Sequence, residues 1–317
     1  LLILNASQIA ALAPPLKVIE RLREAFKAKY DTPARQVVAI PGGSGERVCL
    51  IMPAFDHAGG GIVKITTVFP ENRDSGLPTL QGSLLVFSET GAPVALLDGR
   101  AITRLRTGAA SALASSYLSR EDSSRLVLLG TGDLGPSMAA AHCAVRRIRH
   151  ISIWGRRLEA AQSTAAAVRL LVGSDTDVVV SHGLEESIGS ADIVSCATSS
   201  AEPILKGRWL KAGTFVDLVG SFSPNKREAD DSTILRSNVF VDTYEGALQE
   251  AGDLLDPLQR AIITREHIRG ELTDLIVGRV RGRTEAGEIT LFKSVGTAIE
   301  DLATASLVVA AALRVED

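Results

Sequence analysis

Aromatic side chains are scarce in this chain, with eight Phe, three Tyr and two Trp among 317 residues. The interior must therefore rest on Ala, Val, Leu and Ile. Cysteine is scarcer. Cys49, Cys143 and Cys196 are odd in number, far apart and never arranged as CxxC. That pattern argues against a disulfide framework or a zinc site and fits a reducing compartment. The five histidines, at positions 57, 142, 150, 182 and 267, make no HExxH and stand beside no cysteine pair, so no metal is expected. A G-x-S-x-G elbow and a P-loop are both missing. An excess of one charge is missing as well: 34 basic and 37 acidic side chains leave a formal −3. That balance gives no reason to expect a nucleic-acid partner. The longest apolar run, near Leu302 to Leu313, is too short for a bilayer and is interrupted by Thr304 and Ser306. No basic segment leads into an apolar one at the start, so no signal peptide is visible. The expectation is a cytoplasmic protein with no membrane partner.

Hydrophobic residues make up 45% of the chain, too many for a disordered tail. At about 150 residues per domain the length suggests two domains. The pattern changes near residue 120. Before it, a helix at about Pro15 to Tyr30 precedes extended segments: Val48 to Phe55, Ile62 to Phe69, Ser83 to Ser88 and Pro93 to Asp98. The last two are joined by Glu89-Thr90-Gly91-Ala92, a hairpin link. This half reads as an antiparallel sheet. After residue 120, short apolar strands alternate with helices. Ser124 to Leu129, Ile151 to Trp154, Asp177 to Val180, Asp192 to Ala197, Thr214 to Val219 and Asn238 to Asp242 are strand-like. Pro136 to Arg147 and Leu158 to Leu171 are helical, and a last helix spans Val295 to Leu313. That alternation predicts a doubly wound α/β domain with a parallel sheet.

The motif Gly130-Thr131-Gly132-Asp133-Leu134-Gly135 follows the first of these strands and opens a helix. In that context it reads as a dinucleotide-binding turn. Gly130 permits the tight turn, Gly132 lets backbone approach a pyrophosphate, and Gly135 lets helix and strand pack closely. The unpaired N–H groups of the helix start then face the phosphates. The second strand ends in Gly155-Arg156-Arg157, with no carboxylate until Glu159. An NAD site usually places an acid there for the ribose hydroxyl; two guanidiniums suit a 2′-phosphate instead. NADP(H) is therefore expected over NAD(H).

Three cations in the first half are candidates for substrate chemistry. Lys64 shares a strand face with Ile62, Thr66 and Val68, and is either an edge gatekeeper or a partly buried functional amine. Arg35 lies at a strand entrance, and Arg106 lies where Leu105 to Ala112 begins a helix of small residues. Either arginine can grip a carboxylate, or simply form a surface ion pair. Thr107, at that helix start, is a candidate phosphate contact.

Several spaced motifs carry a wider resemblance. They include Lys64, Pro70-Glu71-Asn72, Gly76-Leu77-Pro78-Thr79, Thr90-Gly91-Ala92-Pro93, Leu97-Asp98-Gly99, Thr103 to Thr107, Gly130-Thr131-Gly132, Val219 to Pro224, Arg227-Glu228-Ala229-Asp230 and Phe292 to Gly296. Over nearly its whole length the chain resembles the ornithine cyclodeaminase/mu-crystallin family. The resemblance implies an α/β fold: a Rossmann doubly wound sheet plus an α+β antiparallel-sheet domain for dimerisation and substrate. The expected division is 1–115 with 295–317 and 116–294, in a homodimer. Family members include cyclodeaminases, alanine dehydrogenases, ketimine and pyrroline-2-carboxylate reductases and a thyroid-hormone-binding lens protein. The resemblance places Arg35, Lys64 and Arg106 in the substrate site and Thr107 at the cofactor phosphates.

Ornithine cyclodeaminases carry an aspartate at the position matching Phe222, where a phenyl ring can neither orient nor deprotonate an amine. The expected activity is thus NADP(H)-dependent reduction of the C=N bond of a small α-imino acid, such as a cyclic ketimine or pyrroline-2-carboxylate. Arg106 and Arg35 would hold the carboxylate, and Lys64, the catalytic candidate, would assist proton transfer. Met52 is a further candidate substrate contact. The cofactor candidates are Thr107, Gly130, Thr131, Gly132, Asp133, Leu134, Gly155, Arg156, Arg157, Thr198, Val219 and Ser294. The alternatives are an NAD-dependent ornithine cyclodeaminase, an enzyme like alanine dehydrogenase acting on an α-amino acid, and an NADPH-loaded binding protein without turnover.

Overall fold

The computed structural model describes residues 1–28, 30, 32–42 and 47–316. The chain forms two compact units, Leu1–Arg106 with Thr297–Asp317, and Thr107–Gly296.

Unit 1 is a six-stranded sheet covered on one face by helices. Its strands are β1 (Leu2–Leu4), β2 (Gln36–Ile40), β3 (Arg47–Phe55), β4 (Gly61–Val68), β5 (Leu80–Phe87) and β6 (Pro93–Asp98), in the order β1-β6-β5-β4-β3-β2. All neighbours are antiparallel except β1, which runs parallel to β6. The sheet is therefore mixed, where the hairpin pattern predicted an antiparallel one. The predicted hairpin joins β5 to β6, with Gly91 at φ +78° and the Ser88 N–H bonded to the Ala92 carbonyl. Helix α1 (Ala6–Leu12) was not anticipated; Asn5 and Gln8 form a capping box at its start. Helix α2 (Pro15–Ala25) is shorter than the predicted span to Tyr30. Helix α3 (Gly99–Leu118) starts in unit 1 and ends in unit 2. It begins earlier than the sequence suggested, because Asp98 Oδ1 accepts the Ala101 N–H at 2.8 Å and sets the first turn.

Unit 2 is an eight-stranded, wholly parallel sheet. Its strands are β7 (Arg125–Leu129), β8 (His150–Trp154), β9 (Asp177–Val180), β10 (Ile193–Cys196), β11 (Phe215–Leu218), β12 (Ser237–Val241), β13 (Ile268–Glu271) and β14 (Ile289–Lys293). Their order is β13-β12-β14-β11-β10-β7-β8-β9. The order reverses between β7 and β10, the switch point at which doubly wound sheets bind ligands. The connecting helices are α4 (Gly135–Val145), α5 (Leu158–Arg169), α6 (Leu184–Ser190), α7 (Asp231–Leu235), α8 (Tyr244–Glu250), α9 (Gly252–Gln259) and α10 (Leu272–Ile276). The central strands are apolar at nearly every position, as burial on both faces requires. Strands β13 and β14 were missed. The sequence Ile-Arg-Gly-Glu of β13 carries no apolar run, and β14 enters the sheet out of chain order, between β11 and β12.

The chain then returns to unit 1 as α11 (Ala298–Glu316), which packs on β3, β4 and α2. Among the described residues no helix is long and apolar enough to cross a membrane.

Candidate active site

In unit 1, strand β4 is flanked by β3 and β5, so Lys64 cannot be an edge gatekeeper. Its side chain is 2% exposed and its Nζ lies 2.6 Å from Asp301 Oδ2. Arg106, also buried, places Nη1 2.8 Å from Glu300 Oε2 and Nε 3.4 Å from Asp301 Oδ1. Asp301 is thus shared by the amine and the guanidinium. Both acids lie in the first turn of α11, where the helix dipole favours negative charge. Sequence reasoning missed them. The available signal was a pair of adjacent carboxylates inside an otherwise apolar helix.

Met52 is buried and sits directly opposite Lys64 on β3; Leu84 is opposite on β5. Apolar neighbours on both sides keep water from the amine. Burial pushes Lys64 down to about 8; Asp301 opposes this, while Arg106 and Arg35 add to it. Arg35, half-buried just before β2, brings a third positive charge to two buried cations and two buried acids. The cluster thus holds an amine that can exchange a proton near neutral pH.

In unit 2, the turn after β7 has the geometry of a phosphate cradle. Gly130 has φ +115°, and a Cβ there would fall 2.5 Å from the Ala197 carbonyl oxygen. Gly132 is exposed, and a Cβ there would meet nothing within 4 Å. That open backbone leads into α4, which has Pro136 in its first turn and no side chain capping its N–H groups. These features fit a bound pyrophosphate. Asp133 and Leu134 complete the turn. The glycine at 135 serves a different contact from the one expected: a Cβ would lie 3.2 Å from Thr164 Cγ2 of α5, so the close packing is helix to helix. Gly155, after β8, makes room for Thr131, whose methyl would lie 2.3 Å from an added Cβ. Arg156 and Arg157 follow, both exposed, and neither guanidinium has a partner among the described residues.

Thr198 follows β10 and gives its N–H and hydroxyl to Glu228. Val219 is buried beyond β11. Ser294, beyond β14, gives its hydroxyl to Asp242 at 2.9 Å. Thr107 requires a correction. It is the ninth residue of α3, so its N–H lies inside the helix and the helix-start argument for a phosphate does not apply. Phe222 packs against the core of unit 2, with Lys226 Nζ 6.0 Å from its ring centroid. Among the described residues no group of three or more His, Cys, Asp or Glu side chains is placed to hold a metal.

Comparison with known proteins bears on this arrangement. A Delta(1)-pyrroline-2-carboxylate reductase of Colwellia psychrerythraea is 37% identical over 311 residues, which cover 97% of this chain and 98% of the relative. The structure of the Thermococcus litoralis Delta(1)-pyrroline-2-carboxylate reductase, in complex with NADH and L-proline, is 34% identical with a TM-score of 0.94, covering 100% of this chain and 98% of that one. An archaeal alanine dehydrogenase dimer with bound NAD is 28% identical with a TM-score of 0.90, covering 100% and 97%. The model of one family matches residues 2–315. The chain belongs to the ornithine cyclodeaminase/mu-crystallin family.

Proposed function

We propose that this protein is a nicotinamide-dependent oxidoreductase that reduces the C=N bond of a small cyclic α-imino acid, of the pyrroline-2-carboxylate type, with NADP(H) as the preferred coenzyme. The observation that carries the reading is the buried cluster of Lys64, Asp301, Arg106 and Glu300. The reductase from Colwellia and the proline-bound neighbour from Thermococcus support the same chemistry.

Reduction adds a hydride to the α-carbon and a proton to the nitrogen. The coenzyme, when bound, supplies the hydride. Gly130 to Leu134 hold its pyrophosphate, and Arg156 and Arg157 take the 2′-phosphate. Thr198, Val219 and Ser294 line the carboxyl ends of the strands beyond the switch point. Arg106 and Arg35 attract the substrate carboxylate, and Lys64 gives its proton to the imine nitrogen while Asp301 holds the amine in place. Met52 shields that transfer from water. A cyclodeaminase would need a polar group to handle a second amine, and Phe222 offers a phenyl ring.

We further propose that the sheet of unit 1 pairs with a second copy. Its uncovered face carries Ile3, Leu96, Leu85 and Val63 in one row across four strands. Ile65 on the same face is 47% exposed. An uncovered apolar sheet face of this kind marks an interface, and the alanine dehydrogenase neighbour is a dimer.

Replacing Lys64 by Ala is expected to lower kcat for imine reduction by about 10²–10⁴-fold while leaving NADPH affinity unchanged, as read by steady-state kinetics and fluorescence titration. The pH profile has a definite sign. The amine must be protonated to reduce and neutral to oxidise, so kcat/KM for imine reduction should fall above pH about 8, and that for oxidation of the cyclic amino acid should rise through the same pH. Two profiles of the same sign would exclude Lys64 as the proton carrier. The double variant Arg156→Ala, Arg157→Ala should raise KM for NADPH by about tenfold or more and leave KM for NADH unchanged. Ile65→Glu should convert a dimer into a folded monomer in sedimentation velocity; a wild-type monomer at micromolar concentration would remove the pairing proposal.

A further inference from the structure

The carboxylate of Glu228 has no part in the mechanism above, yet it is 1% exposed and heavily engaged. Its Oε1 accepts the Thr198 N–H at 2.7 Å and the Thr198 hydroxyl at 3.0 Å. Its Oε2 accepts the Gly220 N–H at 2.7 Å and the Ser221 N–H at 3.3 Å. Thr198 follows β10 and Gly220 follows β11, so one side chain ties together the loops beyond two neighbouring strands. Direct contact reinforces the tie. A Cβ at Gly220 would fall 2.0 Å from the Thr198 carbonyl oxygen, and one at Gly130 would fall 2.5 Å from that of Ala197. The phosphate turn after β7, the loop after β10 and the loop after β11 therefore abut in a row along the switch point. Glu228 is itself anchored. Its N–H and that of Ala229 donate to Asp253 Oδ1 at 2.7 and 3.0 Å, and Asp253 Oδ2 lies 3.0 Å from Lys293 Nζ.

We propose that Glu228 is a positioning residue for the dinucleotide: its ionised carboxylate locks the loops after β10 and β11 against the phosphate turn, and its protonation loosens the bound coenzyme. The proposal rests on the nicotinamide-dependent reading above. An ionised carboxylate only accepts and can take all four donors; a protonated one carries a hydrogen of its own, which the Thr198 hydroxyl can accept only by giving up its own bond and which the three N–H groups cannot accept. The bonds also weaken when the charge is lost. Burial pushes Glu228 up to about 7, Lys293 of β14 pulls it down, Asp253 of α9 pushes it up, and the Thr198 and Gly220 N–H groups favour the ionised form. Cys196 of β10 also feels the Glu228 charge, and burial pushes its thiol well up. The thiol therefore stays neutral in this range.

The test uses NADH, which lacks the 2′-phosphate that titrates near the same pH. Its dissociation constant is measured by fluorescence from pH 6 to 8.5 for the wild type and for Glu228→Gln. Wild-type affinity is expected to weaken about tenfold as the pH falls through about 7. The variant should bind about tenfold more weakly than wild type at pH 8 and show a flat profile, so that the two converge at pH 6. A purely structural role would shift the variant equally at every pH. Equal constants at pH 8, or a constant ratio across the range, would overturn the proposal. If Glu228→Gln does not fold, the wild-type titration decides alone, and a flat wild-type profile overturns it. Failure of the wild type to bind either NADH or NADPH at pH 8 would instead remove the coenzyme reading, and this proposal with it.

Discussion

Unit 1 depends on burying two cations and meeting them with two acids from one helix turn. An unpaired charge at such depth costs several kcal/mol. Glu300 and Asp301 arrive beside Lys64 and Arg106 and offset that cost. The compensation is deliberately incomplete for the amine. Burial weakens its hold on a proton while Asp301 strengthens it, and burial prevails. A fully compensated lysine would keep its proton too tightly to give it away near neutral pH, and an uncompensated one would not carry it at all.

The turn after β7 in unit 2 relies on bare main chain instead. Its specific features are places where a side chain is missing: the open backbone at Gly132 and the loop contacts at Gly130 and Gly220 that leave no space for a Cβ. Each half is thus built on a different economy of charge. One gathers buried ionic groups; the other lines up backbone dipoles and leaves Arg156 and Arg157 without a partner among the described residues.

Much of this was legible in the sequence. The glycine turn, its flanking strand and helix, and the pair Arg156 and Arg157 are local signals, and local signals survive in one dimension. Lys64 stood out as a charge in an apolar strand, though alternation alone left its role open. The acids that meet it show in the sequence only as two adjacent carboxylates in an apolar helix; 194 positions separate Arg106 from its partner Glu300, so nothing local says which cations they face. The start of α3 was misplaced because Asp98 reads as the end of a strand while its side chain also sets the first helical turn. Strand β14 was missed because its neighbours in the sheet come from earlier in the chain. The Arg227-Glu228 motif was visible, but only folding shows that its carboxylate joins two loops.

The return of α11 to unit 1 sets an order on assembly. Translation delivers Lys64 and Arg106 long before Glu300 and Asp301. Until α11 has been made, the growing sheet carries Lys64 and Arg106 without the two acids that meet them in the folded unit. Unit 1 therefore closes around its ionic cluster only after the whole of unit 2 has been made.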